Sequence, residues 1–249
     1  DASFHERRRA GIAVLRGQAM DFSLDENRAK MQAADPAPRF TTKDTDFGVL
    51  IGAARKASEA QDYWRITPWL APGYSLIPKA PGDIPSQCNA RVPRDDETSW
   101  FFRIRWHPSR ALNASELADF EQGGVFFPDL IPGSFRPVDN RDNDYNINRE
   151  EQRTTSVTGI KSIPQQDRAV TESMGPIYDR TKEHLGTADS GIIAVRRRLL
   201  RLARQLGEGQ EPYPAAHGRI YQVLAPALNL PKDVPFDEGA REHIYALHP

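Results

Sequence analysis

The order of its segments narrows the fold of this chain more than anything else: strand-type text comes first and helix-type text later. Residues 39–42, 47–52 and 63–70 are β-branched and aromatic runs bounded by Asp, Gly or polar residues, which predicts three antiparallel strands. Residues 71–85 read as a Pro/Gly-rich connection, and residues 88–92 and 98–107 as two further strands. In the last of these, Phe102, Ile104 and Trp106 alternate with Arg103 and Arg105, so one face is apolar and the other carries two positive charges. Helical signals follow. Asn113 caps a short helix that Gly123 and Gly124 close, and helical text resumes at 147–155, at 165–184 with a break at Gly175-Pro176, and at 190–206. In the last helix Ile192, Val195, Leu199 and Leu202 form the apolar line, with five arginines between Arg196 and Arg204 on the remaining positions. Strands followed by helices, without βαβ alternation, predict an α+β fold in which an antiparallel sheet wraps around helices.

Composition supports a real core. Of 249 residues, 39% are hydrophobic and 27% charged, and 33 Lys+Arg balance 34 Asp+Glu. Neither disorder nor electrostatic attraction to nucleic acid is indicated. No run of about 18 apolar residues occurs and the first residues offer no signal-peptide core, so a soluble, cytoplasmic protein is expected, with no membrane partner. One domain over residues 1–249 is the expectation, with 1–38 a weakly specified lead-in and 207–249 a C-terminal extension. The chain opens on Asp1 rather than Met, which reads as N-terminal truncation. Its single cysteine, Cys88, excludes an internal disulfide, a four-cysteine zinc site and any iron–sulfur cluster held by these residues alone.

Short motifs remove further classes. There is no Gly-rich phosphate loop, no Gly-x-Ser-x-Gly elbow and no His-Glu-x-x-His helix. His243 and His248 are five residues apart, a poor chelating interval on a helix. Asp167 follows Ile163-Pro164-Gln165-Gln166 at the start of a helix, where spacing alone describes a carboxylate stabilised by the helix dipole. Glu172, five residues on, faces elsewhere.

Three blocks carry a more specific signal: Asn140-Arg141-Asp142-Asn143-Asp144-Tyr145-Asn146-Ile147-Asn148-Arg149, then Ser156-Val157-Thr158-Gly159-Ile160, then Gln166-Asp167 through Gly186. With Thr45-Asp46-Phe47-Gly48-Val49, Tyr63-Trp64-Arg65-Ile66-Thr67 and Phe135-Arg136-Pro137-Val138, this pattern closely resembles the Rieske non-haem iron ring-hydroxylating oxygenases of the phthalate 4,5-dioxygenase type. The similarity runs over residues 38–206 and belongs to the catalytic half of that family.

The resemblance implies a helix-grip (Bet v 1/START-like) domain holding Fe(II) by two histidines and one carboxylate, with O2 as co-substrate. It makes Asp167 the carboxylate ligand. The histidines of the family lie in an upstream Asp-x-x-His-x-x-x-x-His segment, of which Asp1-Ala2-Ser3-Phe4-His5 is the matching text. Phe4 stands at the first histidine position and Arg9 at the second. His5 is then the candidate ligand and Asp1 the candidate for the family's bridging acid. The family's [2Fe–2S] cluster belongs to an N-terminal Rieske domain, missing here, so this chain by itself is expected not to turn over.

The substrate implied is an aromatic carboxylate, hydroxylated or O-demethylated, and it requires a cation to fix it. Arg65 is the first choice, with Arg103 and Arg105 as others. The implied partners are an electron-transfer reductase and further copies in a homotrimer or stacked trimers, with residues 127–145 as the contact. The arginines of 196–204 are either a solvated helix face or a dock for an acidic electron donor. Two rival readings are a metal-free helix-grip module binding an aromatic or hydrophobic ligand, and an inactive truncated fragment.

Overall fold

A computed structural model describes residues 35, 37–121, 128–154, 158–160 and 163–247. These fall into two compact units: a sheet unit drawing on the described residues of 35–95, 99–110 and 184–247, and a helical unit drawing on those of 96–98 and 111–183. Asp1 and His5 lie outside the described residues.

In chain order the strands are β1 (Arg39–Thr45), β2 (Gly48–Lys56), β3 (Gln61–Leu70), β4 (Tyr74–Leu76), β5 (Ser86–Pro93), β6 (Ser99–Trp106) and β7 (Ala227–Pro231). The α-helices are α1 (Ala114–Glu121), α2 (Arg149–Thr154), α3 (Ile163–Ser173), α4 (Ser190–Gly207), α5 (Tyr213–Ala216), α6 (Phe236–Gly239) and α7 (Arg241–Ile244). The strands form one antiparallel sheet in the order β1-β2-β3-β4-β5-β6, with β7 added to β3. Because β2 pairs with β3 along Asp62–Leu70, the other edge of β3 is shared: β7 takes Gln61–Arg65 and β4 takes Trp69–Leu70. The architecture is α+β, of the helix-grip type.

The period-2 text of β2 and β3 serves two cores at once. On one face Val49, Ile51 and Trp69 pack beneath Ala194, Val195, Leu199 and Leu202 of α4. On the other, Leu50, Ile66, Leu70, Leu76 and Cys88 are covered by Val223, Ala225, Phe236, Ala240 and Ile244. Trp64 stacks on Phe236 with ring centroids 5.1 Å apart. Residues 207–247 thus contribute a strand and much of one core. The Pro- and Gly-punctuated sequence of this stretch conceals that, because its apolar residues belong to short turns rather than to one periodic element.

Three local features differ from the sequence reading. β4 lies within the stretch read as connection, too short at three residues to show a pattern. Ile192 is 47% exposed and leaves the apolar line of α4, since Gly191 one residue earlier makes the contact with Ile51. The arginines of α4 are not simply a solvated face: Arg198 Nη2 donates to the carbonyl oxygens of Thr45 (3.2 Å) and Asp46 (3.4 Å), and Arg201 Nη2 to Asp44 Oδ2 (2.7 Å). These bonds tie the helix to the β1–β2 turn, where Gly48 has φ +150° and a Cβ would meet Trp69 O at 2.3 Å.

In the helical unit Asn113 caps α1 as its sequence predicts. Glu116 N donates to Asn113 Oδ1 (2.9 Å) and Asn113 N to Glu116 Oε2 (2.8 Å), a reciprocal capping box. Residues 128–146 are irregular except for a bridge between Leu130 and Pro137 and a tight turn at Arg141–Asn146. No helix among the described residues is long and apolar enough to cross a membrane.

Candidate functional site

The inner side of the helix that carries Asp167 is anchored to the segments before it. Along α3, Gln165 and Ala169 are buried, while Asp167, Val170 and Met174 are exposed on the opposite side, as intervals of three, four and seven residues require. Ala169 packs with Tyr145, Ile160 and Ile147. Gln166 Nε2 donates to Ile160 O at 2.9 Å, and Arg168 Nη2 donates to Asp139 O. Glu172 turns toward Tyr145, whose hydroxyl donates to Glu172 Oε2 at 2.8 Å. Asp167 and Glu172 therefore face apart, as their spacing predicts.

The anchoring surface is the turn containing Asn140–Asn146. Asn140 Oδ1 accepts from Asp142 N (2.9 Å) and Asn143 Oδ1 accepts from Asn140 N (2.9 Å), which closes the turn on itself. Asp144, Tyr145 and Asn146 all adopt left-handed backbone, with φ of 50°, 54° and 47°. Three successive non-glycine residues in that region cost free energy and persist only where the surroundings hold them. Here the Tyr145 ring is buried, and the Arg168 guanidinium lies 5.9 Å from its centroid. Burial, together with the bond to Glu172, pushes the Tyr145 hydroxyl up to about 12. Gly159 completes the platform at φ +65°, where a Cβ would meet Asn148 O at 2.4 Å.

In the sheet unit the register puts all three sequence-nominated arginines on one face. Arg65 pairs with Ala53 on β2 and Ala227 on β7; Arg103 and Arg105 pair with Asn89 and Gln87 on β5. Following Trp69↔Ser75↔Asn89↔Arg103 across the sheet shows that this is the face on which α4 packs. The two groups are not adjacent. Three inter-strand steps of about 4.8 Å and an offset of two to four residues separate Arg65 from them by on the order of 15–20 Å along a flat sheet. Arg65 is opposite alanine on both flanking strands, whereas the Arg103 guanidinium lies over the Phe101 ring, 5.8 Å from its centroid. Sequence reasoning missed Arg55, a fully buried cation on this face opposite Tyr63, whose Nε donates to Asp35 O at 3.0 Å. Nothing in its context, Ala54-Arg55-Lys56, sets it apart from a surface residue.

Asp167 carries hard oxygen donors on the exposed side of α3. Among the described residues no group of three or more His, Cys, Asp or Glu side chains comes together to hold a metal ion.

The match to known proteins covers both units. The family model described as "LigXa C-terminal domain like" aligns with residues 20–236. The chain belongs to this LigXa C-terminal domain like family. The chain is 35% identical over 230 residues to the 3-chlorobenzoate-3,4-dioxygenase oxygenase subunit of Comamonas testosteroni, covering 86% of this chain and 52% of that protein. It is 29% identical over 228 residues to the phthalate 4,5-dioxygenase oxygenase subunit of Pseudomonas putida, covering 86% and 49%. The chain spans about half the length of the curated relatives it matches. The resemblance to phthalate 4,5-dioxygenase-type oxygenase components, read from the sequence blocks, is borne out by these matches.

Proposed function

We propose that this chain is the catalytic-domain portion of an oxygenase component that uses Fe(II), O2 and reductase-derived electrons to hydroxylate or O-demethylate an aromatic carboxylate. In this reading Asp167 is the carboxylate ligand of the iron, His5 a histidine ligand and Asp1 the acid beside it. Arg65 takes the substrate carboxylate, with Arg103 and Arg105 as further cations on the same sheet face. The bound iron would supply O2 activation, and the chain's own residues would hold the metal, orient the ring and restrict water. The [2Fe–2S] centre that delivers electrons belongs to a Rieske domain outside these residues, the donor to that centre is a reductase, and the chain assembles as a homotrimer or stacked trimers. The observation that carries the reading is the exposed Asp167 carboxylate on the anchored helix α3, within a chain whose relatives are named as oxygenase subunits. Those relatives are named for chlorobenzoate and phthalate, both aromatic carboxylates, which is the chemistry a half-buried arginine flanked by alanines suits.

The test is anaerobic Fe(II) binding by the chain and by its Asp167→Ala variant. Stoichiometric binding that the variant loses is the expected result. Equal binding by both, or none by the parent, would remove Asp167 from an iron site; a ligand-only helix-grip module would then be the better description, checked by titration with benzoate.

A further inference from the structure

We propose that β6 is a homodimerisation edge: two copies of this chain pair their β6 strands antiparallel about a two-fold axis at Phe101. The inference stands on the sheet alone and is independent of the metal and substrate readings. Among the described residues β6 ends the strand order and pairs only with β5. The ladder fixes which of its backbone groups face outward. Arg91 N donates to Gly73 O and Ile77 N to Gln87 O, so the odd-numbered residues of β5 turn their backbone groups toward β4. An antiparallel ladder alternates, so the even-numbered residues of β5 bond to β6. Ser99, Phe101 and Arg103, opposite Pro93, Arg91 and Asn89, therefore direct their N–H and C=O away from β5. Pro93, with no N–H to give, sits at a position the ladder leaves unbonded.

The two edges of the sheet are dressed differently. β1 carries exposed Arg39, Lys43 and Asp44, charges of the kind that keep an edge from pairing. On β6, Trp100, Phe101, Phe102 and Ile104 are all exposed, and Val92 is exposed opposite Trp100. These apolar side chains alternate between both faces of the strand, so a layer laid over one face leaves the other bare, whereas a strand added at the edge lies beside both. Charge selects the occupant. The turn before β6 holds Asp95, Asp96 and Glu97, and the other end of the strand holds Arg103 and Arg105. A segment acidic at one end and basic at the other complements its own antiparallel copy. Pairing the outward groups with each other requires a residue on the axis. With Phe101 there, Trp100 faces Phe102, Ser99 faces Arg103, and Glu97 comes level with Arg105 of the other copy. An axis at Arg103 sets two arginines face to face, and one at Phe102 carries Glu97 past Arg105. A two-fold contact cannot close a ring of three, so this edge is separate from any contact that builds a trimer.

The experiment is sedimentation equilibrium of the full chain at about 100 µM, a concentration that populates a weak strand-to-strand interface. It compares the parent, Phe101→Pro, Arg105→Glu, Glu97→Arg and an equimolar mixture of the two charge variants. The proline removes an outward N–H that β5 does not use. Expected is a parent mass twice that of Phe101→Pro. Each charge variant alone should associate about tenfold more weakly, because two symmetry-related pairs turn from attraction to repulsion. Their mixture should recover the parent's association, since every Glu then meets an Arg across the axis. Circular dichroism checks the fold of each variant, and Phe101→Lys replaces the proline variant if that one unfolds. A parent no heavier than the Phe101 variant overturns the proposal, and so does a mixture no more associated than its components.

Discussion

Gly191 of α4 touches Ile51 of β2 so closely that a Cβ on the glycine would meet Ile51 Cγ2 at 2.9 Å and Cδ1 at 3.2 Å. This contact brings the N-terminal turn of α4 down onto the sheet, and Val195, Leu199 and Leu202 then follow onto Val49 and Trp69. Replacing Gly191 with Val forces side-chain volume into a filled site, at a cost of about 1–3 kcal/mol that exceeds the gain in helix propensity. Urea denaturation measures it. The Gly191→Val/Ile51→Ala double variant should lose less than the sum of the singles, and strict additivity would show that the two residues do not compete for the same space.

The two arginines that tie α4 to the β1–β2 turn differ in kind. Arg201 and Asp44 form an ion pair between exposed side chains, so Arg201→Ala should cost at most about 1 kcal/mol and nothing measurable in 1 M salt. Arg198 donates to two backbone carbonyls from a half-buried position, and Arg198→Ala should cost about 1–2 kcal/mol with little dependence on salt. Chemical denaturation at low and high ionic strength separates them; equal salt sensitivity would contradict the assignment.

Alkaline stability should report on Tyr145. Burial first, then the hydrogen bond and charge of Glu172, raise its hydroxyl from 10.0 to about 12, against smaller opposing effects of Arg168 and Arg141. A group whose folded value lies above its unfolded one gives stability that is full below pH 10 and lost as pH rises from about 10 to 12. Tyr145→Phe should therefore flatten the fall in stability across that window. Titration of the 295 nm absorbance should show a late-ionising tyrosine that is lost in the variant.

Cys88 should be silent in the folded chain. It is 5% exposed in the core beneath the C-terminal segment, and burial raises its thiol, with a bond from the Ser75 backbone acting the other way. A thiol-specific reagent should react only in denaturant, with one equivalent consumed. Rapid reaction of native protein would place Cys88 at an accessible surface and contradict the packing.

Legibility followed the range of the interactions. The five longer strands were readable because β-branched and aromatic runs of seven to ten residues alternate on a period of two. The N-cap of α1 and the extent of α4 were readable for the same local reason. β6 shows the limit. Its alternation is as read, yet Phe102 and Ile104 are 50% and 45% exposed while Arg103 and Arg105 are half-buried. An alternating pattern names two faces and does not say which one the rest of the chain will cover. The candidate site divides similarly: Asp167 was legible through its surrounding blocks, whereas Arg55, the bulkiest of the fully buried side chains, was not.

By itself, then, the sequence determined the strands-then-helices order, the period of each long element, the family and the outward placement of Asp167 relative to Glu172. These depend on neighbours within about seven residues, where backbone geometry dictates which side chains share a face. Only the tertiary structure decided that β7 joins β3 across more than 150 residues, that residues 223–244 roof one sheet face, and that Tyr145 reaches Glu172 from a left-handed turn. Those contacts depend on which surfaces remain unburied once the local elements exist, a competition settled by packing across the whole domain and not by any one segment's text.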